Sequence, residues 1–170
     1  MPVVRAPKAT FIPGGPIARP MREADAFEQT AMLGLARGAK RDLYRLSLFG
    51  QHLGDDEWPL VLLAIQGGTL LVTDHRVLEF RAHLEVHGAW NVKEFQGYTI
   101  QREMERKSVR DVLHVVEPAD VSSGSRVVAD KLVLLCEPGK TEILVSRGPE
   151  ATLSHPEFLA VRDAILAPHA

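Results

Sequence analysis

Gly67-Gly68-Thr69-Leu70-Leu71-Val72-Thr73-Asp74-His75-Arg76-Val77-Leu78-Glu79-Phe80-Arg81 is two β-rich runs joined by a short polar turn, the signature of a β-hairpin. With Thr73-Asp74-His75-Arg76 as the turn and Asp74 and His75 at its centre, Val72 pairs with Val77, Leu71 with Leu78 and Thr69 with Phe80. Directly paired residues share a face, so Leu71, Leu78 and Phe80 make an apolar side. Leu70, Val72, Val77, Glu79 and Arg81 make a mixed one. The Asp74 carboxylate is expected to accept a backbone N–H just after it. A two-residue loop prefers Gly at one centre, which Asp-His lacks, so the register is open to a slip of one residue.

Outward from this hairpin, 170 residues suit one domain with an appendage, and a domain near that size buries roughly 70% of its unfolded surface. With 45% hydrophobic and 25% charged residues, the chain has the composition of a globular protein. A net charge of -2 argues against nucleic acid as a partner. One cysteine, Cys136, cannot form an intrachain disulfide, which predicts a reducing, cytoplasmic location. It sits in an apolar run and reads as a small buried hydrophobe. No run approaches the roughly 18 apolar residues of a membrane span, and the first residues lack a signal-peptide core.

Residues 1–20 hold five prolines and a Gly-Gly pair and read as an extended arm, with Phe11, Ile12 and Ile17 available to dock. Residues 21–53 read as one amphipathic helix from Glu23 to about Gln51, with Met32, Leu35, Ala39, Leu43, Leu46 and Phe49 lining one face. Arg37, Lys40, Arg41 and Arg45 fall on the other face, behind acidic Glu23, Asp25 and Glu28. This order matches the helix dipole and also fits a basic surface for an acidic membrane or protein. Gly34 and Gly38 would admit a second backbone, as in a dimer.

A β domain then fills residues 54–170. Asp55-Asp56-Glu57 lacks the rest of a calcium loop and reads as a solvated turn. Pro59 to Ile65 is a strand buried on both faces. Ala82 to Gly97 is the least regular internal stretch. Its His83 and His87 would suit a metal on a helix, but on a strand they lie about 13 Å apart. Trp90 and Lys93 make either a recognition loop or, with Phe95, a cover for the core edge. Strands follow at Tyr98–Met104 and Val109–Val116, separated by the charged turn Glu105-Arg106-Lys107-Ser108.

A second hairpin joins Val127–Cys136 to Thr141–Arg147 through Glu137-Pro138-Gly139-Lys140, whose Pro-Gly centre predicts a type II turn. Gly139-Lys140-Thr141 resembles the end of a phosphate loop, but Leu134 stands where its first glycine belongs and a strand follows. Ser154-His155-Pro156-Glu157 is a capping box, opening a helix with Phe158, Val161, Ile165 and Leu166 on one side.

The predicted fold is mainly β with helices: about seven antiparallel strands in two packed sheets, a partly open barrel with a C-terminal capping helix and an extra N-terminal helix. Leu70-Leu71-Val72-Thr73-Asp74-His75-Arg76-Val77-Leu78 resembles the hairpin of bacterial pleckstrin-homology-like and GRAM-type domains, in which an acidic segment like Asp55-Asp56-Glu57 precedes the first strand. The resemblance spans about residues 54–167 and implies a binding or scaffolding module for proteins or lipid headgroups. Function does not follow from fold, so three expectations stand. The first is a non-catalytic module binding a protein partner or a second copy. The second is a peripheral binder placing Arg37, Arg41 and Arg45, or Arg102, Arg106, Lys107 and Arg110, on anionic lipid. The third is a small-molecule site or enzyme at a barrel mouth lined by His83, His87, Trp90 and His114. No catalytic residues, cofactor or metal are expected.

Overall fold

A computed structural model describes residues 24–36, 43–87, 92–119, 127–137 and 139–168. Strands dominate, in two sheets. The first holds β1 (Ala31–Leu33), β2 (Pro59–Ile65), β3 (Gly68–Thr73), β4 (Arg76–His87) and β5 (Val92–Glu105), in that order. The second holds β6 (Val109–Pro118), β7 (Val128–Cys136) and β8 (Lys140–Gly148). Helix α1 (Leu43–Gly50) precedes β2, and α2 (His155–Leu166) ends the described chain. The sheets are not closed into a barrel.

The central hairpin has the expected register, Val72 opposite Val77, Leu71 opposite Leu78 and Thr69 opposite Phe80. Both of its faces are buried, which corrects the mixed face expected for Leu70, Val72 and Val77. Those three join Val61, Leu63, Ile65, Leu132, Leu134, Ile143 and α2's Phe158, Val161 and Ile165 in the core between the sheets. Leu71, Leu78 and Phe80 pack instead with Leu62, Phe27 and α1's Leu46 and Phe49 in a second core. A sheet covered on both sides needs apolar residues at successive positions, as its strands have.

The long N-terminal helix is the main correction. Among the described residues of this stretch only Leu43–Gly50 is α-helical; Ala24–Phe27 and Gly34–Ala36 are single 3₁₀ turns. Ala31–Leu33 pairs parallel with Val61–Leu63, so the first sheet is not wholly antiparallel. Gly34 ends that strand at φ 65°, and a Cβ there would lie 2.7 Å from Leu63 Cδ1. Gly34 therefore serves close approach within the chain, not between copies. The N-terminal arm, Gly38 and the basic residues Arg37, Lys40 and Arg41 lie outside the described residues.

Residues 82–97 mostly continue the β4–β5 ribbon, which reaches His87 opposite Val92. The second hairpin turns one residue earlier than Pro-Gly suggests: Leu135 faces Lys140, and the Cys136 N–H donates to the Gly139 carbonyl at 2.7 Å. Gly139 does not take the positive φ that a type II turn requires. Helix α2 opens on the predicted capping box, Ser154 Oγ accepting from Glu157 N–H and Glu157 accepting from Ser154 N–H. Cys136 is half-buried, not buried, with Sγ 3.8 Å from Met104 Sδ and its thiol pKa raised by burial. Among the described residues no helix is long and apolar enough to cross a membrane.

Candidate functional site

The strongest candidate is a cleft of about 630 Å³ at the turn end of the central hairpin, lined by Gly54, Asp56, Glu57, His75, Arg76, Glu105 and Lys107. Three segments meet there: the connection from α1 to β2, the β3–β4 turn, and the 3₁₀ turn Arg106–Ser108 after β5.

Glu57 joins the first two. It is 4% exposed, so the acidic segment is not simply a solvated turn. Its Oε1 accepts from Gly54 N–H at 2.9 Å and from Arg76 Nη2 at 2.7 Å. Its Oε2 accepts from Thr73 Oγ1 at 2.6 Å and from Arg76 Nε at 2.9 Å. Burial alone would raise the Glu57 pKa, but the donated hydrogen bonds of Arg76, Thr73 and Gly54 outweigh it and hold the carboxyl at about 2. Arg76 also donates to Glu103 Oε2 and to the His52 carbonyl, both within 2.8 Å. Glu57 above all, then Glu103, raises the Arg76 pKa, while burial and Arg76 lower that of His52.

The turn is capped by Thr73, not Asp74: Thr73 Oγ1 accepts from the N–H groups of His75 and Arg76 at 3.1 and 2.8 Å. The Asp74 carboxylate turns away, because Oδ1 accepts from the Trp58 N–H at 2.9 Å and faces His75 Nδ1 at 2.7 Å. A carboxylate at Nδ1 keeps a proton there and leaves Nε2 for a ligand. It also raises the His75 pKa, with Asp56 and Glu57 adding to the effect.

Arg106 fixes the third segment, and it is not a surface residue. At 4% exposure it donates from Nε to the Asp74 carbonyl and from Nη1 to the Ala164 and Ala167 carbonyls, at 3.1, 2.5 and 3.2 Å. A guanidinium at a helix C-terminus meets carbonyls that have no intrahelical partner. Its own N–H donates to the His75 carbonyl at 3.0 Å. One buried cation thus ties the hairpin turn to the end of α2.

The other predicted site residues scatter. Arg45 lies over the Phe95 ring, 4.2 Å from its centroid, and donates to Tyr98 Oη at 3.3 Å. Arg102 pairs with Glu79 at 2.6 Å, Lys107 with Glu105 at 3.3 Å and Arg110 with Glu137 at 2.6 Å. Arg37, Arg41 and Trp90 lie outside the described residues, as does the Lys93 side chain. His83 meets Thr99 Oγ1 at 2.6 Å on the first sheet, while His114 meets Asp130 Oδ1 at 2.6 Å on the second. These two histidines line no common mouth. His87 contributes only its backbone to the description.

Sequence reading missed Glu57 and Asp130 as organising groups. Asp130 is fully buried; its Oδ2 accepts from the N–H groups of Thr152 and Leu153, both at 2.9 Å, fixing the approach to α2. Among the described residues no group of three or more His, Cys, Asp or Glu side chains is placed to hold a metal ion.

No family model, curated protein or solved structure matches this chain. Its function is therefore argued from the cleft and the surfaces themselves.

Proposed function

We propose that the chain is a non-catalytic interaction module of pleckstrin-homology-like architecture, and that the hairpin-end cleft docks a basic segment of a protein partner. Two stacked sheets with a C-terminal helix support the architecture. The observation that carries the docking is the cleft's charge: Asp56, Glu57 and Glu105 stand against Arg76 and Lys107 in its lining, with Glu103 and Asp74 bonded just behind. Glu57 and Arg76 are consumed by each other, which stiffens the wall; Glu105 pairs with Lys107 and His75 with Asp74, so Asp56 adds the lining's net negative charge. A rigid wall with an excess of carboxylates suits a cationic ligand, because it loses little entropy on binding and complements the ligand's charge.

The same charge disfavours anionic lipid at this end. Burial of Arg106 also breaks up the basic cluster proposed for a membrane, and Arg102 is paired with Glu79. The test is titration of the full chain with a lysine- and arginine-rich decapeptide, a glutamate-rich decapeptide, and vesicles of phosphatidylcholine with and without phosphatidylserine. The basic peptide should perturb the amide resonances of Gly54, Asp56 and His75, and Asp56→Lys with Glu105→Lys should abolish this. Binding of the anionic vesicles in preference to the peptide overturns the proposal.

A further inference from the structure

The two sheets differ in how they are covered. Both faces of the first sheet carry core residues, whereas among the described residues the second sheet contributes to the core clusters from the face turned toward α2, with Val133 on its other face 8% exposed. Strand pairing assigns its outer face: Leu113 and Glu142 flank Val133, Val115 and Leu144 flank Lys131, and Leu135 pairs with Lys140. Leu113 is 41% exposed, and Val115, Leu135 and Leu144 are half-buried.

Across this face runs a diagonal row of charges in the order Glu117, Lys131, Glu142, Lys140. Its successive contacts are 2.6, 3.4 and 3.4 Å. The signs alternate and the row has an even number of members. Turned about a two-fold axis through its midpoint, such a row meets itself with every charge opposite its counter-charge. Glu117 faces Lys140 of the second copy, and Lys131 faces Glu142. The four members of the row sum to zero charge, with exposed Arg147 beside its end, across Ala129 from Glu117. An isologous contact is the commonest way for a chain to use a surface that complements itself.

We infer that the outer face of β6–β7–β8 is a self-association surface on which a second copy of this chain docks through a two-fold axis between Lys131 and Glu142. The inference rests on reading the chain as an interaction module and uses a different surface from the cleft.

Sedimentation velocity over a concentration series should show the wild type moving from 18.8 kDa toward twice that mass. Lys131→Glu sets like charges at both symmetric contacts, as does Glu142→Lys, and each should weaken dimerisation by about tenfold or more. Mixed together, these two variants face each other with opposite charges and should form a heterodimer. That rescue cannot come from repaired folding, because the internal pair stays broken in each chain. Leu113→Asp, at an exposed position, should give a folded monomer by circular dichroism. A wild type that stays monomeric, single variants that dimerise normally, or a mixture that stays monomeric would each overturn the inference. A monomer that still binds the basic peptide would leave the cleft proposal standing, and a dimer with an inert cleft would do the reverse.

Discussion

Glu57→Gln tests the buried pair that organises the cleft. The native carboxyl is held at about 2 against an ordinary 4.5. That difference corresponds to about 3 kcal/mol of folding free energy at neutral pH, at about 1.4 kcal/mol for each tenfold. Because the folded pKa is depressed, this stability is fully present above the unfolded value of 4.5 and is lost as pH falls toward about 2. Glu57→Gln removes the charge, keeps the shape and leaves Arg76 with Glu103 as its remaining carboxylate partner beside the His52 carbonyl. Urea unfolding followed by tryptophan fluorescence should show the variant less stable by about 3 kcal/mol near neutral pH, or about 6–12 °C in Tm for a chain of this size. The gap should close progressively between pH of about 4.5 and about 2, since both chains then carry an uncharged side chain at this position. Subtracting the two curves cancels the other acid-titrating groups. A gap under about 1 kcal/mol at neutral pH, or one that stays constant as the solution is acidified, would refute the reasoning.

The remaining expectations concern α2 and the cleft. Asp130→Ala leaves the Thr152 and Leu153 N–H groups and His114 without their acceptor in a fully buried position, so thermal unfolding should show a loss of about 3 kcal/mol or more. Arg106→Lys cannot span the Asp74 and Ala164 carbonyls at once; amide exchange should quicken in the last turn of α2 and in residues 74–76, at a cost of about 2 kcal/mol. Protonation of His75 adds a cation to the cleft, so affinity for the basic peptide should fall as pH drops through the raised His75 pKa. Asp74→Asn should move that fall to lower pH, and an affinity unchanged across that range would remove His75 from the site.

The hairpin register was legible because two signals agreed, β-rich runs on both arms and a polar pair between them. The second hairpin shows where alternation runs out. Pairing Leu134 with Ile143, as Pro-Gly suggests, and pairing Leu134 with Thr141, as found, put the same residues on the same face. Registers two residues apart are equivalent to a period of two, and only packing beyond the hairpin separates them. The long helix failed for a related reason. Met32 to Phe49 keep helical spacing, yet Ala31–Leu33 gain a sheet edge about thirty residues away and Gly34 breaks the run. Charged residues give no local sign of burial either, because the partners of Arg106 lie up to 61 residues distant. Glu57 did have a signal. Thr73 and Arg76 flank the turn on one face, and Pro59, which pairs with Thr73, follows Glu57 by two residues.

These placements divide the molecule's charges by task. Glu57, Arg106 and Asp130 are buried and Arg76 is half-buried, and all four are spent on connecting elements: the hairpin turn to the α1–β2 connection, the turn to α2, and β7 to the approach of α2. Two groups of charge left at the surface are the acid-rich cleft and the alternating row on the second sheet. The first is proposed above to take a ligand of opposite charge, and the second a copy of the same chain. A dimer formed on the second would carry two copies of the first, so a partner with two basic segments would bind its second segment at an effective concentration set by the linker between them. Under these two proposals, weak docking at each cleft would become firm attachment only when both surfaces act.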